Sequence, residues 1–145
     1  MKQFKHLGAY GLIIKDEKIV LIKKVGGPYN GKLDLPGGTI EWGETPEQTL
    51  IRELNEEVGI DVIKYELFDA NSIIFEWIHK EELERGHHLG IFYKVLDYNL
   101  TEAYIDFEEA KISNLKVYDY TVRHCLLRDM INKYISKNYG EIETT

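Results

Sequence analysis

The chain is poor in the residues that staple or punctuate a fold. It has one cysteine, Cys125, and three prolines, none beyond Pro46, among 145 residues. A single cysteine excludes an intramolecular disulfide framework and fits a reducing compartment, so the cytoplasm is the expected location. No apolar run approaches the ~18 residues of a membrane span, so no membrane partner is expected. Met1-Lys2-Gln3-Phe4-Lys5-His6 lacks the apolar stretch of a secretion signal. Positive charge is scarce as well: 18 Lys and Arg against 25 Asp and Glu leave a formal net charge of −7. That balance argues against a nucleic-acid polymer as partner. There is no internal repeat, low-complexity segment or linker. With 43% hydrophobic residues, the expectation is one domain over residues 1–140 and a frayed tail, Glu141 to Thr145.

What is present is concentrated between Gly38 and Ile60, GTIEWGETPEQTLIRELNEEVGI. Thr45-Pro46-Glu47-Gln48 reads as a helix start, with Thr45 as N-cap, Pro46 at the first helical position and Gln48 completing a capping box. Gly59 is the left-handed stop, and Ile60 is placed to pack back on the helix. At ~100° per residue, Leu50, Ile51, Leu54 and Val58 form the buried stripe. Glu53, Glu56 and Glu57 fall on another face, roughly 115° away by the same arithmetic. Carboxylates at these spacings repel by a few tenths of a kcal/mol per pair, so the cluster does not serve helix stability. Hard oxygen ligands on one face suit Mg²⁺ or Mn²⁺, which would also offset the repulsion between an acidic protein and an anionic substrate. Arg52, four residues before Glu56, is placed to brace the carboxylates. Upstream, Leu33-Asp34-Leu35-Pro36-Gly37-Gly38 reads as a short strand entering a tight Gly-Gly turn, where backbone can approach a cation or phosphate.

The same stretch satisfies G-x5-E-x7-R-E-U-x-E-E-x-G-U, with U a bulky aliphatic, at every constrained position. The matches are Gly38, Glu44, Arg52, Glu53, Leu54, Glu56, Glu57, Gly59 and Ile60. Chance coincidence is on the order of 10⁻⁹ per start point at average residue usage. The chain thus resembles the Nudix hydrolases, MutT-like enzymes that cleave nucleoside diphosphates linked to another moiety with divalent cations. The resemblance implies an α+β fold, an α/β/α sandwich with a mixed sheet between the catalytic helix and a C-terminal helix. It implies cation ligands among Glu53, Glu56 and Glu57 with a carbonyl of Gly37 or Gly38, and more than one ion once substrate is bound. Arg52 and Glu44 would orient the other carboxylates. The general base would be Glu53 or a glutamate on a later loop, here Glu102, Glu108 or Glu109. One small departure is Thr49, where alanine is frequent. Loss of box glutamates marks non-catalytic relatives that act as sensors or protein-binding modules, and this chain retains all four.

Outside the box the chain is strand-rich. Leu7 to Ile14 and Ile19 to Lys23 flank Asp16-Glu17-Lys18 as a hairpin. Thr39 to Glu41, Val62 to Phe68, Ile73 to Ile78 and Leu89 to Leu96 follow, with Asp69-Ala70-Asn71 breaking the middle pair. Val117 to Ile135 has helical spacing, with His124 on its apolar side. The segment from Thr101 to Lys111 reads as a charged surface loop. Substrate-contact candidates are Tyr29 in the 26–31 loop, Phe75 and Trp77 as stacking residues, and His88. His87 and His88, adjacent on an extended segment, point to opposite faces and make a poor chelate. The proline that follows the box in ADP-ribose pyrophosphatases and the tyrosine of dinucleoside-polyphosphate hydrolases are absent. A nucleoside triphosphate or small nucleotide derivative is the favoured small-molecule partner. Whether the enzyme is a monomer or a homodimer stays open at this point.

Overall fold

The structure is a computed structural model, described here for residues 1–15, 18–23, 31, 33–104 and 108–111. Its strands are β1 (Lys2–Lys15), β2 (Lys18–Lys23), β3 (Leu33–Asp34) and β4 (Gly37–Thr39). After helix α1 (Pro46–Val58) come β5 (Ile60–His79), β6 (Glu82–Leu100) and β7 (Glu108–Lys111). They form one mixed sheet in the order β3-β2-β1-β6-β5, with β4 beside β1 and β7 beside β2. β1 and β6 run parallel from Lys2↔Glu84 to Ile13↔Val95, and every other pairing is antiparallel. The expected mixed sheet with the box helix packed on it is therefore observed. Val117 to Ile135, His124 and the 141–145 tail lie outside the described residues, as does Tyr29.

α1 forms where its caps dictate. The Thr45 hydroxyl accepts from the Gln48 amide at 3.1 Å, and the Gln48 side chain accepts from the Thr45 amide at 2.9 Å. Gly59 ends the helix at φ 73°, and its amide donates to the Asn55 and Leu54 carbonyls. A side chain at Gly59 would also strike Ala103 and Tyr104 of the turn after β6. One face of α1 packs Leu50, Leu54 and Val58 against Ala9, Ile13, Val20, Tyr93 and Val95. Each fully buried leucine contributes ~2–3 kcal/mol to this layer. The other sheet face carries Tyr10 and Leu12, because side chains alternate along a strand. Tyr10 stacks on Phe92 there, with ring centroids 5.5 Å apart.

Several expectations need correction. Ile51 is 41% exposed; it sits at the margin of the apolar stripe, and Thr49 takes the buried position instead. Gly37 and Gly38 do not form a tight turn. They are strand residues, paired to Tyr10 and Ala9, and the strand is Gly37–Thr39 rather than Thr39 to Glu41. Asp69-Ala70-Asn71 does not break β5, since these residues pair with Phe92, Ile91 and Gly90. The disturbance is absorbed by a register shift between Leu67 and Asp69, a bulge that keeps the ladder continuous. β1 and β6 begin earlier than their apolar runs, because a paired strand does not need apolar residues on both faces. β5 and β6 join through Lys80 and Glu81, both at positive φ (51° and 65°), as a two-residue hairpin turn demands. The segment read as a charged loop contains β7, whose Glu108 and Glu109 pair with Leu21 and Val20.

Candidate active site

The site is built where α1 crosses the end of β4. Arg52 is its organiser. Its Nε donates to Glu44 Oε2 at 2.8 Å and its Nη2 to Glu44 Oε1 at 2.9 Å, a two-pronged fork on one carboxylate. Its Nη1 donates to Glu53 Oε1 at 2.9 Å and to Glu56 Oε2 at 3.3 Å, and Nη2 also reaches the Thr39 carbonyl at 3.2 Å. One guanidinium thus ties the helix, the box loop and β4 together, which a lysine's point charge cannot do. The mutual hydrogen bonds have matching electrostatic effects. Donation from Arg52, then from the Glu41 amide, holds the Glu44 carboxyl at about 2, below its ordinary 4.5. Glu44 in turn raises the Arg52 guanidinium further above its ordinary range.

Glu53 is fixed by contact as well as by charge. A Cβ built on Gly38 would lie 2.7 Å from its Cδ and 2.8 and 3.0 Å from its two carboxylate oxygens. Glycine at 38 therefore lets the Glu53 carboxylate lie against the β4 backbone. Oε1 is held by Arg52 while Oε2 has no hydrogen bond among the described residues. Glu56 is 60% exposed at its side chain, and Glu57 is half-buried one residue further on. The side chains gathered around Arg52 are all carboxylates, the hard oxygen chemistry that Mg²⁺ and Mn²⁺ take. Among the described residues no three acidic or histidine groups converge into a closed cage.

Residues to which the sequence assigned no role in the site surround this frame. Thr49, fully buried, donates its hydroxyl to Glu44 Oε1 at 3.0 Å. Tyr93 donates to Glu47 Oε1 at 3.1 Å, tying the first turn of α1 to β6. Burial first, then Glu47, pushes the Tyr93 hydroxyl up to about 12. His6 bonds Thr39 Oγ1 at 2.9 Å, at the residue whose carbonyl receives Arg52. Trp42 is 100% exposed between Gly38 and Glu44. None of these occupies a constrained position of the box, so only their side-chain chemistry could have flagged them.

The other candidates fall elsewhere. His88 is buried, its Nε2 2.8 Å from the Tyr10 hydroxyl, on the sheet face away from α1. His87 points to the opposite face, as alternation requires. Phe75 and Trp77 pair with Gly86 and Glu84 and share the His88 face. Phe75 meets the Phe4 ring edge-on at 5.8 Å, and Trp77 stacks on His79 at 4.8 Å. Phe75 lies five residues along β5 from the Ala70 row that runs across to Gly38, and Trp77 seven. At ~3.3 Å per residue these are about 16 and 23 Å away along the strand. The structure does not bring either ring to the glutamates. Glu102 is exposed in the turn that packs on Gly59, at the C-terminal end of α1. Glu108 and Glu109 are placed by backbone only, on the far side of β2 from β1's glycine-paired segment.

Comparison with known proteins agrees with the class that fold and site define. The NUDIX domain model matches residues 5–123. The chain belongs to the NUDIX domain family. It is 37% identical over 87 residues to an ADP-ribose pyrophosphatase from Methanocaldococcus jannaschii, covering 60% of this chain and 47% of the relative. It is 43% identical over 80 residues to an 8-oxo-dGTP diphosphatase from Escherichia coli, covering 48% of this chain and 62% of the relative. These matches therefore span about half to three fifths of the relatives' lengths. Among solved structures, the MutT protein from Methanosarcina mazei Go1 superposes with a TM-score of 0.62 at 19% identity. That alignment covers 96% of this chain and 99% of the other, and it speaks for the fold. No helix among the described residues is long and apolar enough to cross a membrane.

Proposed function

We propose that the chain is a divalent-cation-dependent hydrolase of a phosphoanhydride bond in a nucleoside diphosphate-X compound. Nucleoside triphosphates and small nucleotide derivatives are the favoured substrates. The observation that carries this reading is the Glu53 carboxylate, held by Arg52 and seated against Gly38 with Oε2 left open. A carboxylate so placed can accept a proton from a water within ~2.6–3.2 Å and pass it on. Glu53 is therefore the proposed base, as ligand, base or both. Arg52 and Glu44 position it, since the fork fixes the guanidinium that fixes Oε1. Mg²⁺ or Mn²⁺ would be held by Glu53, Glu56, Glu57 and a carbonyl of Gly37 or Gly38, and it supplies charge neutralisation and an acidified water. The relatives' names support the small-nucleotide class but differ within it, and the missing post-box proline favours the triphosphate side. Phe75 and Trp77 are retained only as a second, more distant contact surface on the opposite sheet face; His88, buried there against Tyr10, is not part of it.

The test is a panel of nucleoside triphosphates, ADP-ribose and dinucleoside polyphosphates incubated with purified protein and Mg²⁺ or Mn²⁺. Release of a nucleoside monophosphate from at least one class is expected. Saturable nucleotide binding without turnover on any of them would make this a non-catalytic member of the family instead.

A further inference from the structure

Trp42 stands out because nothing in the fold requires it. A tryptophan normally buries most of its large apolar surface, and full exposure forfeits that stabilisation. Here the indole is 100% exposed. It does not sit on a loose segment. The Glu44 amide donates to the Glu41 carbonyl at 2.9 Å, closing a four-residue turn with Trp42 at its first corner. Gly43 at the second corner has φ 85°, the left-handed value that such a turn needs there. The Glu41 amide donates back to Glu44 Oε1 at 2.9 Å, so the turn is clasped twice. Glu44 is itself gripped by the Arg52 fork, which also holds Glu53. The indole is thus mounted on the same rigid frame as the reactive carboxylate.

Ile40 donates to the Leu7 carbonyl at 2.9 Å, so the chain entering the turn runs alongside β1. Two residues further along β1 is Lys5, which helps line a groove of about 450 Å³ with Gln3, Phe4, Ile74, Arg85 and His87. Lys5 and His87 have no hydrogen-bond or ion-pair partner among the described residues. In a protein of net charge −7, Lys5 and His87 are uncompensated there, whereas Arg85 is paired with Glu76 at 2.8 Å. An exposed indole fixed to the carboxylate frame fits a molecule that joins a flat ring to phosphates, and Lys5 adds an uncompensated positive charge on the neighbouring strand.

We propose that Trp42 is the stacking platform for the nucleobase of the substrate and a specificity-determining residue of this site. The inference rests on the nucleotide reading above. It predicts preference by ring area, purine over pyrimidine, since stacking follows the π surface rather than a hydrogen-bond code. Stacking of one base on an aromatic side chain is worth ~1–3 kcal/mol, so Trp42→Ala should weaken nucleotide binding about 5- to 150-fold.

The chain has two tryptophans, so fluorescence can isolate this one. In Trp77→Phe, the remaining Trp42 emission should be quenched and blue-shifted, saturably, by a non-hydrolysable purine triphosphate analogue with Mg²⁺. Calorimetry on wild type, Trp42→Phe and Trp42→Ala with the same analogue should give binding in that order, with phenylalanine recovering most of the loss. Saturable calorimetric binding that leaves Trp42 emission unchanged, or equal affinity of wild type and Trp42→Ala, overturns this inference alone. Absence of any nucleotide binding to the wild type overturns the nucleotide reading, and this one falls with it.

Discussion

Gly38→Ala separates what the site needs from what the fold needs. The added Cβ would stand 2.7 Å from Glu53 Cδ, whereas ordinary contacts begin near 3.4 Å. The carboxylate must therefore retreat by roughly 0.7 Å, and it can, being the far end of a flexible side chain. Gly38 does not have a left-handed φ, so the backbone itself accepts alanine. Stability should change little, within ~1 kcal/mol, because alanine also reduces the entropy of the unfolded chain. Activity should not be spared. A misplacement approaching 1 Å in a reacting group can cost up to ~10²-fold, so a drop of ~10- to 100-fold, about 1.4–2.7 kcal/mol, is expected in kcat. The neighbouring Gly37→Ala is the contrast. Its Cβ would strike the Ala9 carbonyl and the Tyr10 backbone at φ 144°, and neither can yield. That variant should lose several kcal/mol and much of its soluble yield. The assay is initial-rate nucleotide hydrolysis beside thermal melts of all three proteins. Wild-type kcat in a well-folded Gly38→Ala would refute the placement of Glu53 at the reacting centre.

Three further outcomes follow from the same geometry. Arg52→Lys removes the fork on Glu44 and the links to Glu53 and Glu56, so kcat should fall at least tenfold and stability by about 1–2 kcal/mol; unchanged kinetics would show that the fork is dispensable. Glu44 has a depressed folded-state pKa, about 2 against an ordinary 4.5. Its contribution to stability is therefore complete above ~4.5 and lost as pH falls toward 2. The melting-temperature gap between wild type and Glu44→Gln, followed from pH 7 to 3 in EDTA, should shrink below ~4.5, and a constant gap would contradict this assignment. Lys80→Asn with Glu81→Gly suits the positive φ of the β5–β6 turn and should add ~0.5–1 kcal/mol; a lower melting temperature would argue against that turn.

The parts of the molecule legible in the sequence are those governed by local chemistry. Thr45, Pro46, Gln48 and Gly59 define α1 to the residue, because capping is satisfied within four positions of the chain. The carboxylate spacing and the Arg52 brace are likewise properties of one helix. What was hidden depends on partners far away in sequence. The Gly37-Gly38 pair looks like a turn until β1 lies beside it, and then the glycines are needed for close approach to Ala9, Tyr10 and Glu53. Asp69-Ala70-Asn71 has breaker composition, yet the nineteen-residue β6 carries it through as a bulged strand. Thr49 rather than Ile51 is buried, and half-buried Glu44 gives the threonine hydroxyl a hydrogen-bond partner. Trp42 carries no signal in the box pattern, since its position accepts any residue; only its exposure on a clasped turn distinguishes it.

The central claim is that the carboxylates of α1 act on a nucleotide phosphoanhydride together with a divalent cation. It is tested most directly by comparing monophosphate release from the best substrate of the panel by wild type and Glu57→Gln, each with Mg²⁺ and with excess EDTA. The account predicts turnover by wild type that EDTA abolishes, and a kcat at least about a hundredfold lower in Glu57→Gln, some 2.7 kcal/mol or more of lost transition-state stabilisation. Turnover that survives EDTA, or a Glu57→Gln protein as fast as wild type, would contradict it.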